Sequence, residues 1–143
     1  MKFKILGIEH VGIAIGGQVG SLFWKLLFDG IESSIEEIET EGVETEIFNL
    51  DTSKVELLKS LHKESPVSKF ISKKGPGIHH VCIEVDSISS AIIELKNNNI
   101  KTIKDEYTIG AEGFKVIFVH PKYTGGVLVE LAEKPKDPST NNN

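Results

Sequence analysis

Residues 7–15 read GIEHVGIAI, and residues 77–85 read GIHHVCIEV. The two stretches share glycine, isoleucine, histidine, valine and isoleucine at matching places. The tripeptide VEL follows each of them, at residues 55–57 and again at residues 129–131. Histidine and glutamate stand 46 residues apart in the first copy and 50 apart in the second. We therefore expect a duplicated module in which each copy contributes one histidine and one glutamate.

Each copy is predicted to form a βαβββ module. In the first copy, at residues 5–61, the predicted elements are a strand at 8–15, a helix at 19–28 and strands at 31–39, 43–50 and 54–61. In the second copy, at residues 77–133, they are a strand ending at Val85, a helix at 87–98 and strands at 100–105, 114–120 and 127–133. A connector at residues 62–76 contains a short helix that Ser65 can cap, with Pro66 at its first position. We expect the tail at residues 134–143 to be flexible.

Side chains alternate between the two faces of a strand, and this places the two histidines on equivalent faces. Two sets of apolar residues can pack under the helices, Val11, Ile13 and Ile15 in the first copy and Val81, Ile83 and Val85 in the second. His10 and His80 then lie on the opposite face, which is not needed for helix packing. The first helix has apolar residues at helical spacing, namely Val19, Leu22, Phe23, Leu26 and Leu27.

Composition and charge limit the class of protein. A chain of 143 residues, 39% hydrophobic and 26% charged, can bury one core or two half-cores that share an interface. No apolar run approaches the length of a membrane span, and the segment at residues 5–15 contains Glu9 and His10, so we interpret it as a strand rather than a signal peptide. The single Cys82 indicates a reducing compartment, and the net charge of −5 argues against nucleic acid as a partner. We expect a cytoplasmic protein that binds neither nucleic acid nor a membrane.

Glu56 and Glu130 interrupt apolar runs, where a buried carboxylate without a partner would cost free energy. Together with His10 and His80 they form a set of two imidazoles and two carboxylates. This set suits a divalent ion in octahedral geometry with water at the open positions. Manganese, cobalt, nickel and iron(II) fit these donors, and zinc is less favoured without thiolates. Such an ion can polarise a carbonyl and stabilise an enolate, so proton abstraction next to a carbonyl is the expected chemistry.

The ordinary alternative for each of these residues is a structural role. A single histidine or glutamate in a strand is typically hydrogen-bonded or solvated, but here both recur in both copies. His79 aligns with Glu9 and falls on the opposite face to His80, so we expect a surface or packing residue. His62 has no repeat partner and receives no role. Cys82 is expected to be a small buried thiol.

Several stretches of the chain resemble one known family. They lie at residues 8–14, 55–58, 65–70, 77–81, 120–122 and 125–131. The paired modules resemble the vicinal oxygen chelate superfamily, which includes glyoxalase I, and within it they most resemble the methylmalonyl-CoA epimerases. The resemblance implies an α+β fold in which two repeated βαβββ modules form a cupped, mostly antiparallel eight-stranded sheet around a metal cleft. It also implies a set of metal ligands that the repeat indicates as well, His10, Glu56, His80 and Glu130.

The family epimerises a 2-methylmalonyl thioester through a metal-stabilised enolate, which requires one base for each face of the substrate. Glu130 matches one of the family's catalytic carboxylates. The other is a glutamate two residues before a Gly-Val turn, and this chain has Thr40 there. Glu39 and Glu41 are the candidates for the second base, although strand alternation points both to the wrong face unless a bulge shifts the register. Lys122 is the candidate for contact with the substrate tail.

Three functions stay open at the level of the sequence. The first is an epimerase that acts on an acyl-CoA thioester. The second is another metal-dependent isomerase or lyase of the superfamily, such as a glyoxalase I-like lactoylglutathione lyase acting on a glutathione adduct. The third is a binding protein that keeps the cleft without turnover. The modules of this superfamily commonly pair within or between chains, so the resemblance also implies a homodimer.

Overall fold

The computed structural model describes residues 2–140. Its strands and helices, in chain order, are β1 (Ile5–Ala14), α1 (Gly17–Leu27), β2 (Ser33–Ile38), β3 (Val43–Asn49), β4 (Lys54–Ser60), α2 (Pro66–Lys74), β5 (Gly77–Val85), α3 (Ile88–Asn97), β6 (Thr108–Ile109), β7 (Lys115–Val119) and β8 (Val129–Glu133). Short 3-10 turns lie at Glu39–Glu41, Ala111–Gly113, Pro121–Tyr123 and Pro138–Thr140. The order confirms two βαβββ modules with a helix between them. None of the helices within residues 2–140 has the length and apolarity that a membrane span needs.

The chain divides into two compact units. The first unit comprises residues 8–81, and the second comprises the described part of residues 1–7 and 82–143. The boundaries fall within β1 and within β5, so each of these two strands contributes residues to both units. Consequently the repeated histidine strands are not confined to one unit each, as the division into modules would suggest.

In the first unit the strands are hydrogen-bonded in the order β2-β3-β4-β1-β5. β2 pairs antiparallel with β3, and β3 pairs antiparallel with β4. β1 pairs parallel with β4, in a register that places Gly12 opposite Glu56. The strand that contains the first histidine therefore runs beside the strand that contains the first glutamate.

Both faces of this part of the sheet are packed. One face contacts α1 through a cluster of Ile15, Phe48, Leu57, Trp24 and Phe28. The other face contacts α2 through a cluster of Ala14, Val43, Leu58 and Val67. Ile13 and Ile15 lie on the α1 side, as predicted, whereas His10 shares the opposite face with Ala14.

Helix α1 is confirmed, but its inward face differs from the predicted one. Four of the predicted apolar positions are 54–80% exposed, namely Leu22, Phe23, Leu26 and Leu27. The inward side is formed instead by Trp24 and by Phe28, the residue that follows the helix. Both are partly buried, and their ring centroids lie 5.4 Å apart. The Phe28 ring continues the contact to Phe48, with centroids 5.0 Å apart. This aromatic group buries large apolar surfaces and so determines how the helix is rotated about its axis. The side chain of Val19 lies outside the described part of the chain.

In the second unit the strands are hydrogen-bonded in the order β5-β8-β7-β6, and β7 pairs antiparallel with both β6 and β8. Helix α3 covers one face through a cluster of Val85, Ile88, Ile92 and Ile117. The predicted position of Val85 under the helix is therefore confirmed. The other face holds a cluster of Cys82, Phe114, Val116 and Ala132. The predicted α+β fold with eight strands in one sheet is confirmed as well.

The predicted strand at residues 100–105 is wrong. Thr102 makes an isolated bridge to Val119, and the strand that follows α3 is instead β6 at Thr108–Ile109. The Ile103 amide donates to the Phe118 carbonyl at 2.8 Å, so this segment contacts β7 without continuing as a strand. Asn99 has a left-handed backbone with φ of 58°, and the Thr102 hydroxyl donates to the Lys104 carbonyl at 2.6 Å.

The predicted flexible tail is described only in part. Residues 134–139 are exposed, and Pro138–Thr140 form a 3-10 turn. The Ser139 amide donates to the Asp137 carboxylate at 2.9 Å, and this hydrogen bond lowers the pKa of Asp137. Residues 141–143 lie outside the described residues, and the flexibility of the tail stays a prediction.

Candidate metal centre

Two histidines and a glutamate converge in the first unit. His10 on β1 and His80 on β5 are each 5% exposed, and their Nε2 atoms lie 2.9 Å apart. Glu56 on β4 is also 5% exposed, and its Oε2 lies 3.0 Å from Nε2 of His10. One ligand atom of each residue lies within 4.8 Å of the other two. The fold therefore brings together three of the four predicted metal ligands.

Gly12 makes room for the second histidine. An added Cβ at Gly12 would lie 2.2 Å from Cε1 of the His80 ring, far inside van der Waals contact. The ring therefore occupies the space that any other residue at position 12 would fill. The sequence concealed this role, because the matching residue of the second copy is Cys82. The available signal was a glycine in the interior of a strand, which often marks a close approach.

The donor set fits a divalent metal ion. For bonds of about 2.1 Å, adjacent ligand atoms of an octahedral ion lie about 3.0 Å apart, and those of a tetrahedral ion about 3.4 Å. The separations of 2.9 Å between the imidazole nitrogens and 3.0 Å between nitrogen and carboxylate match the octahedral spacing. They are also hydrogen-bond distances, so contacts among the three side chains already hold the donors together.

The outward nitrogen of the His10 ring faces a carboxylate. Oε1 of Glu9 lies 3.5 Å from Nδ1 of His10, at the outer limit of a hydrogen bond. Lys54 donates to both carboxylate oxygens of Glu9, at 3.1 Å and 3.4 Å. Burial raises the pKa of Glu9, but the contact with His10 and the hydrogen bonds and positive charge of Lys54 outweigh it and hold the pKa below its usual value.

The outward nitrogen of the His80 ring faces a second imidazole. Nδ1 of His79 lies 3.0 Å from Nδ1 of His80. The His79 ring also packs edge-on against Phe70, with centroids 5.0 Å apart. The prediction of a packing residue is therefore incomplete, because His79 contacts His80 although strand alternation starts the two side chains on opposite faces.

Glu130 lies on β8, in the second unit. Its side chain is buried, and its partner residue on β7 is Phe118. Ala132, two residues further along the same face, packs with Cys82 and Val116. Transfer of a carboxylate from water to such surroundings is unfavourable unless a cation or a donor accompanies it. The role of Glu130 as fourth ligand and as base stays a prediction.

The candidates for the second base do not lie on a strand. Glu39–Glu41 form a 3-10 turn that ends at Gly42, whose φ of 61° is left-handed. Strand alternation, which pointed both glutamates to the wrong face, therefore does not apply to them. Glu39 and Thr40 are exposed, whereas Glu41 is half-buried.

His62, for which no role was predicted, packs on this turn. A Cβ at Gly42 would lie 2.6 Å from Nε2 of His62. The Gly42 carbonyl accepts a hydrogen bond from the Leu61 amide at 2.9 Å, and the Ser65 amide donates to the His62 carbonyl at 3.1 Å. The Glu39–Glu41 turn is thereby fastened to the segment that leads into α2.

Lys122 lies in the second unit and is the exposed middle residue of the 3-10 turn Pro121–Tyr123. Its amide donates to Nδ1 of His120 at 3.1 Å, so His120 caps the turn. Its Nζ lies 5.0 Å from the centroid of the Tyr123 ring. A contact between Lys122 and a substrate stays a prediction.

The chain is similar to one superfamily over most of its length. A family model described as Glyoxalase/Bleomycin resistance protein/Dioxygenase superfamily matches residues 19–118. The chain is 41% identical to the mitochondrial methylmalonyl-CoA epimerase of Mus musculus, over 92% of this chain and 75% of that protein. It is 36% identical to the ethylmalonyl-CoA/methylmalonyl-CoA epimerase of Cereibacter sphaeroides, over 88% of this chain and 96% of that protein. A solved structure of methylmalonyl-CoA epimerase in complex with methylmalonyl-CoA and NH4+ has 25% identity and a TM-score of 0.84, covering 92% of this chain and 96% of that chain.

Proposed function

We propose that this chain, which belongs to the methylmalonyl-CoA epimerase family of the Glyoxalase/Bleomycin resistance protein/Dioxygenase superfamily, interconverts the epimers of methylmalonyl-CoA. The reaction moves a proton at C2, the carbon between the thioester carbonyl and the free carboxylate. The main support is the buried group of His10, Glu56 and His80 in a chain 41% identical to an epimerase. A lactoylglutathione lyase and a non-catalytic binding protein are not favoured, because the relatives described above are epimerases.

The proposed metal ligands are His10, Glu56, His80 and Glu130. When bound, a divalent ion supplies the Lewis acidity that makes the C2 proton of a thioester easier to remove. Cobalt, manganese and nickel are the first candidates and zinc the second, because two imidazoles and two carboxylates without a thiolate suit an octahedral ion. The separations of 2.9 Å and 3.0 Å among the first three ligand atoms support that geometry.

Glu130 and Glu41 are the proposed bases. One removes the C2 proton from one face of the substrate, and the other returns a proton to the opposite face. We prefer Glu41 to Glu39 because Glu41 is half-buried, whereas Glu39 is exposed. The hydrogen bonds around Gly42 fasten the turn and would keep the Glu41 carboxylate in a fixed place, which proton transfer requires.

Lys122 is proposed to contact the substrate tail. Its ammonium group is exposed in the turn that precedes β8. Coenzyme A contains phosphate groups, which pair with an exposed ammonium. Lys122→Met should therefore raise KM for methylmalonyl-CoA and leave kcat unchanged, and an unchanged KM would remove this contact.

Deuterium exchange at C2 of methylmalonyl-CoA, measured in D2O with each epimer separately, tests the function. The wild-type chain should exchange the C2 hydrogen of both epimers and invert the centre. Glu41→Gln should still exchange the hydrogen of one epimer, without inversion, because one base remains. If Glu39→Gln has that effect instead, Glu39 is the second base. The exposed Glu37→Gln is the matched control and should behave like the wild type. Absence of exchange in the metal-loaded wild-type chain would contradict the epimerase function.

A homodimer is proposed on the exposed face of α1. Four large apolar side chains on this helix are 54–80% exposed, and Lys25 is the only charged residue of Gly17–Leu27. An apolar face without charges can pack against its own copy about a two-fold axis, the commonest symmetry of soluble oligomers. Light scattering should give twice the chain mass for the wild type and one chain mass for Leu26→Glu. A monomeric wild type would contradict the homodimer.

A cytoplasmic location is our proposal for the compartment. It rests on Cys82, the single cysteine of the sequence, whose fully buried thiol suits a reducing environment. The relative from Mus musculus is mitochondrial. Fractionation of cells that express the chain from its own gene distinguishes the two compartments.

A further inference from the structure

We propose that the residue immediately before each ligand histidine orients the ring of that histidine, so that Glu9 orients His10 and His79 orients His80. This inference rests on the proposed metal site, since it concerns the rings that would bind the ion. It assigns a function to the one position of the repeat motif at which the two copies differ before the histidine.

Both rings direct the same nitrogen toward the candidate site. The two Nε2 atoms lie 2.9 Å apart, and Nδ1 of each ring therefore points away. An imidazole binds a cation through the nitrogen that has no proton. A neutral ring that binds through Nε2 must carry its proton on Nδ1, and a buried N–H requires an acceptor.

Glu9 is placed to be that acceptor for His10. Its Oε1 lies 3.5 Å from Nδ1 of His10, and its side chain is 11% exposed. Lys54 holds the carboxylate from the other side, with Nζ 3.1 Å and 3.4 Å from the two oxygens. A carboxylate in this place fixes the tautomer and orientation of a ligand histidine and increases its basicity.

His79 is placed to be the acceptor for His80. The two Nδ1 atoms lie 3.0 Å apart, so one of them donates and the other accepts. If His80 donates, Nδ1 of His79 has no proton, and the proton of His79 resides on its Nε2. Phe70 packs edge-on against the His79 ring at 5.0 Å and limits its rotation. With an ion bound to Nε2 of His80, the two neighbouring histidines therefore carry their protons on opposite nitrogens.

The two acceptors differ in strength. Glu9 is a carboxylate, whereas His79 is a neutral ring in this arrangement, and hydrogen bonds to a charged acceptor are about twice as strong. We therefore expect loss of Glu9 to lower the affinity for the ion more than loss of His79 does.

Zinc affinity, measured by competition with a fluorescent chelator, tests the inference without an activity assay. Glu9→Gln should bind zinc about 10–100-fold more weakly than the wild type. His79→Phe, which keeps a ring against Phe70 and removes the acceptor, should show a smaller loss. Glu133→Gln is the matched control, because Glu133 is a partly buried glutamate 3.3 Å from Lys115 in the second unit. It should retain wild-type affinity. Equal losses in Glu9→Gln and Glu133→Gln, or wild-type affinity in Glu9→Gln, would overturn the inference.

The tautomers give a second test that does not depend on the folding of any variant. In the zinc-loaded wild type, ¹⁵N spectra of labelled histidine should show His10 and His80 with the proton on Nδ1 and His79 with the proton on Nε2. A His79 proton on Nδ1 would overturn the assignment of this residue. Failure of the wild type to bind zinc, manganese or cobalt would instead contradict the proposed metal site itself, so the two failures are distinguishable.

Discussion

In the second copy, helix α3 buries Ile88, Ala91 and Ile92. Helix α1 of the first copy instead leaves four large apolar side chains exposed and packs inward through the partly buried rings of Trp24 and Phe28. The two helices thus occupy the same position in the βαβββ order, but they pack differently. The strand positions behave differently, since histidine and glutamate recur at matching places and all four side chains are 5% exposed. Shared core packing does not account for their recurrence, because the packing has diverged. A metal ion bound by all four side chains, as proposed above, would account for it.

Substitution of the two glutamates should differ most strongly in its effect on the rate of C2 exchange. Glu56 is proposed only as a ligand, whereas Glu130 is proposed as both ligand and base. With the metal saturating, Glu130→Gln should slow C2 exchange by about 10²–10⁴-fold, the usual contribution of a general base. Glu56→Gln should recover most of its activity at high metal concentration. Full exchange by Glu130→Gln would contradict the assignment of Glu130 as a base.

Substitutions on the two helices should differ in their effect on the free energy of unfolding. Ile92 is 9% exposed in the cluster under α3, so Ile92→Ala should lower the free energy of unfolding by about 2–5 kcal/mol. Leu26 is 80% exposed on α1, so Leu26→Ala should change the free energy of unfolding of the monomeric chain little. Urea unfolding at low protein concentration measures both. A larger loss for Leu26→Ala would show that α1 is packed in another way.

Gly12 and Cys82 occupy matching places and should respond differently to alanine. Gly12→Ala forces a methyl group into the His80 ring and should cost about 1–3 kcal/mol of unfolding free energy, with a loss of metal affinity. Cys82→Ala removes only a sulfur atom from the cluster with Phe114 and Val116 and should preserve metal affinity. Urea unfolding and metal titration check both variants. Unimpaired metal binding by Gly12→Ala would remove the proposed role of this glycine.

Substitutions at the N-cap positions of the two helices should change the free energy of unfolding least. Ser87 caps α3 by accepting from the Ser90 amide at 3.2 Å, whereas Gly16 at the start of α1 makes no side-chain cap. Ser87→Ala should therefore cost about 1 kcal/mol. Ser89→Ala, which changes an exposed serine of the same helix, offers the matched comparison. In thermal unfolding, the melting temperature of Ser87→Ala should lie below that of the matched variant and of the wild type. Equal stability of Ser87→Ala and the wild type would contradict the capping role.

The repeat made the fold and the grouping of His10, Glu56 and His80 predictable. Periodicity identified α1 and α3, and the pleat placed His10 on the face opposite α1. The sequence did not predict that α2 packs against that same face, through Ala14 and Val67. The sequence could not reveal that Trp24 and Phe28, rather than the leucines, form the inward side of α1, because this depends on contact with the distant Phe48. Nor could it reveal the turn at Glu39–Glu41, since that turn is held by Leu61 and His62, which lie on another segment. Local patterns predict local structure, and contacts between distant segments decide the rest.

The most direct test of the account is the metal content of the purified chain and its histidine variants. Elemental analysis after dialysis should find about one divalent ion per chain in the wild type, as expected for one set of converging ligands. His10→Ala and His80→Ala should each lose it, and His120→Ala, a histidine that caps a turn outside the candidate site, should retain it. A full complement of metal in His10→Ala or His80→Ala would contradict the claim that the two copies share one ion.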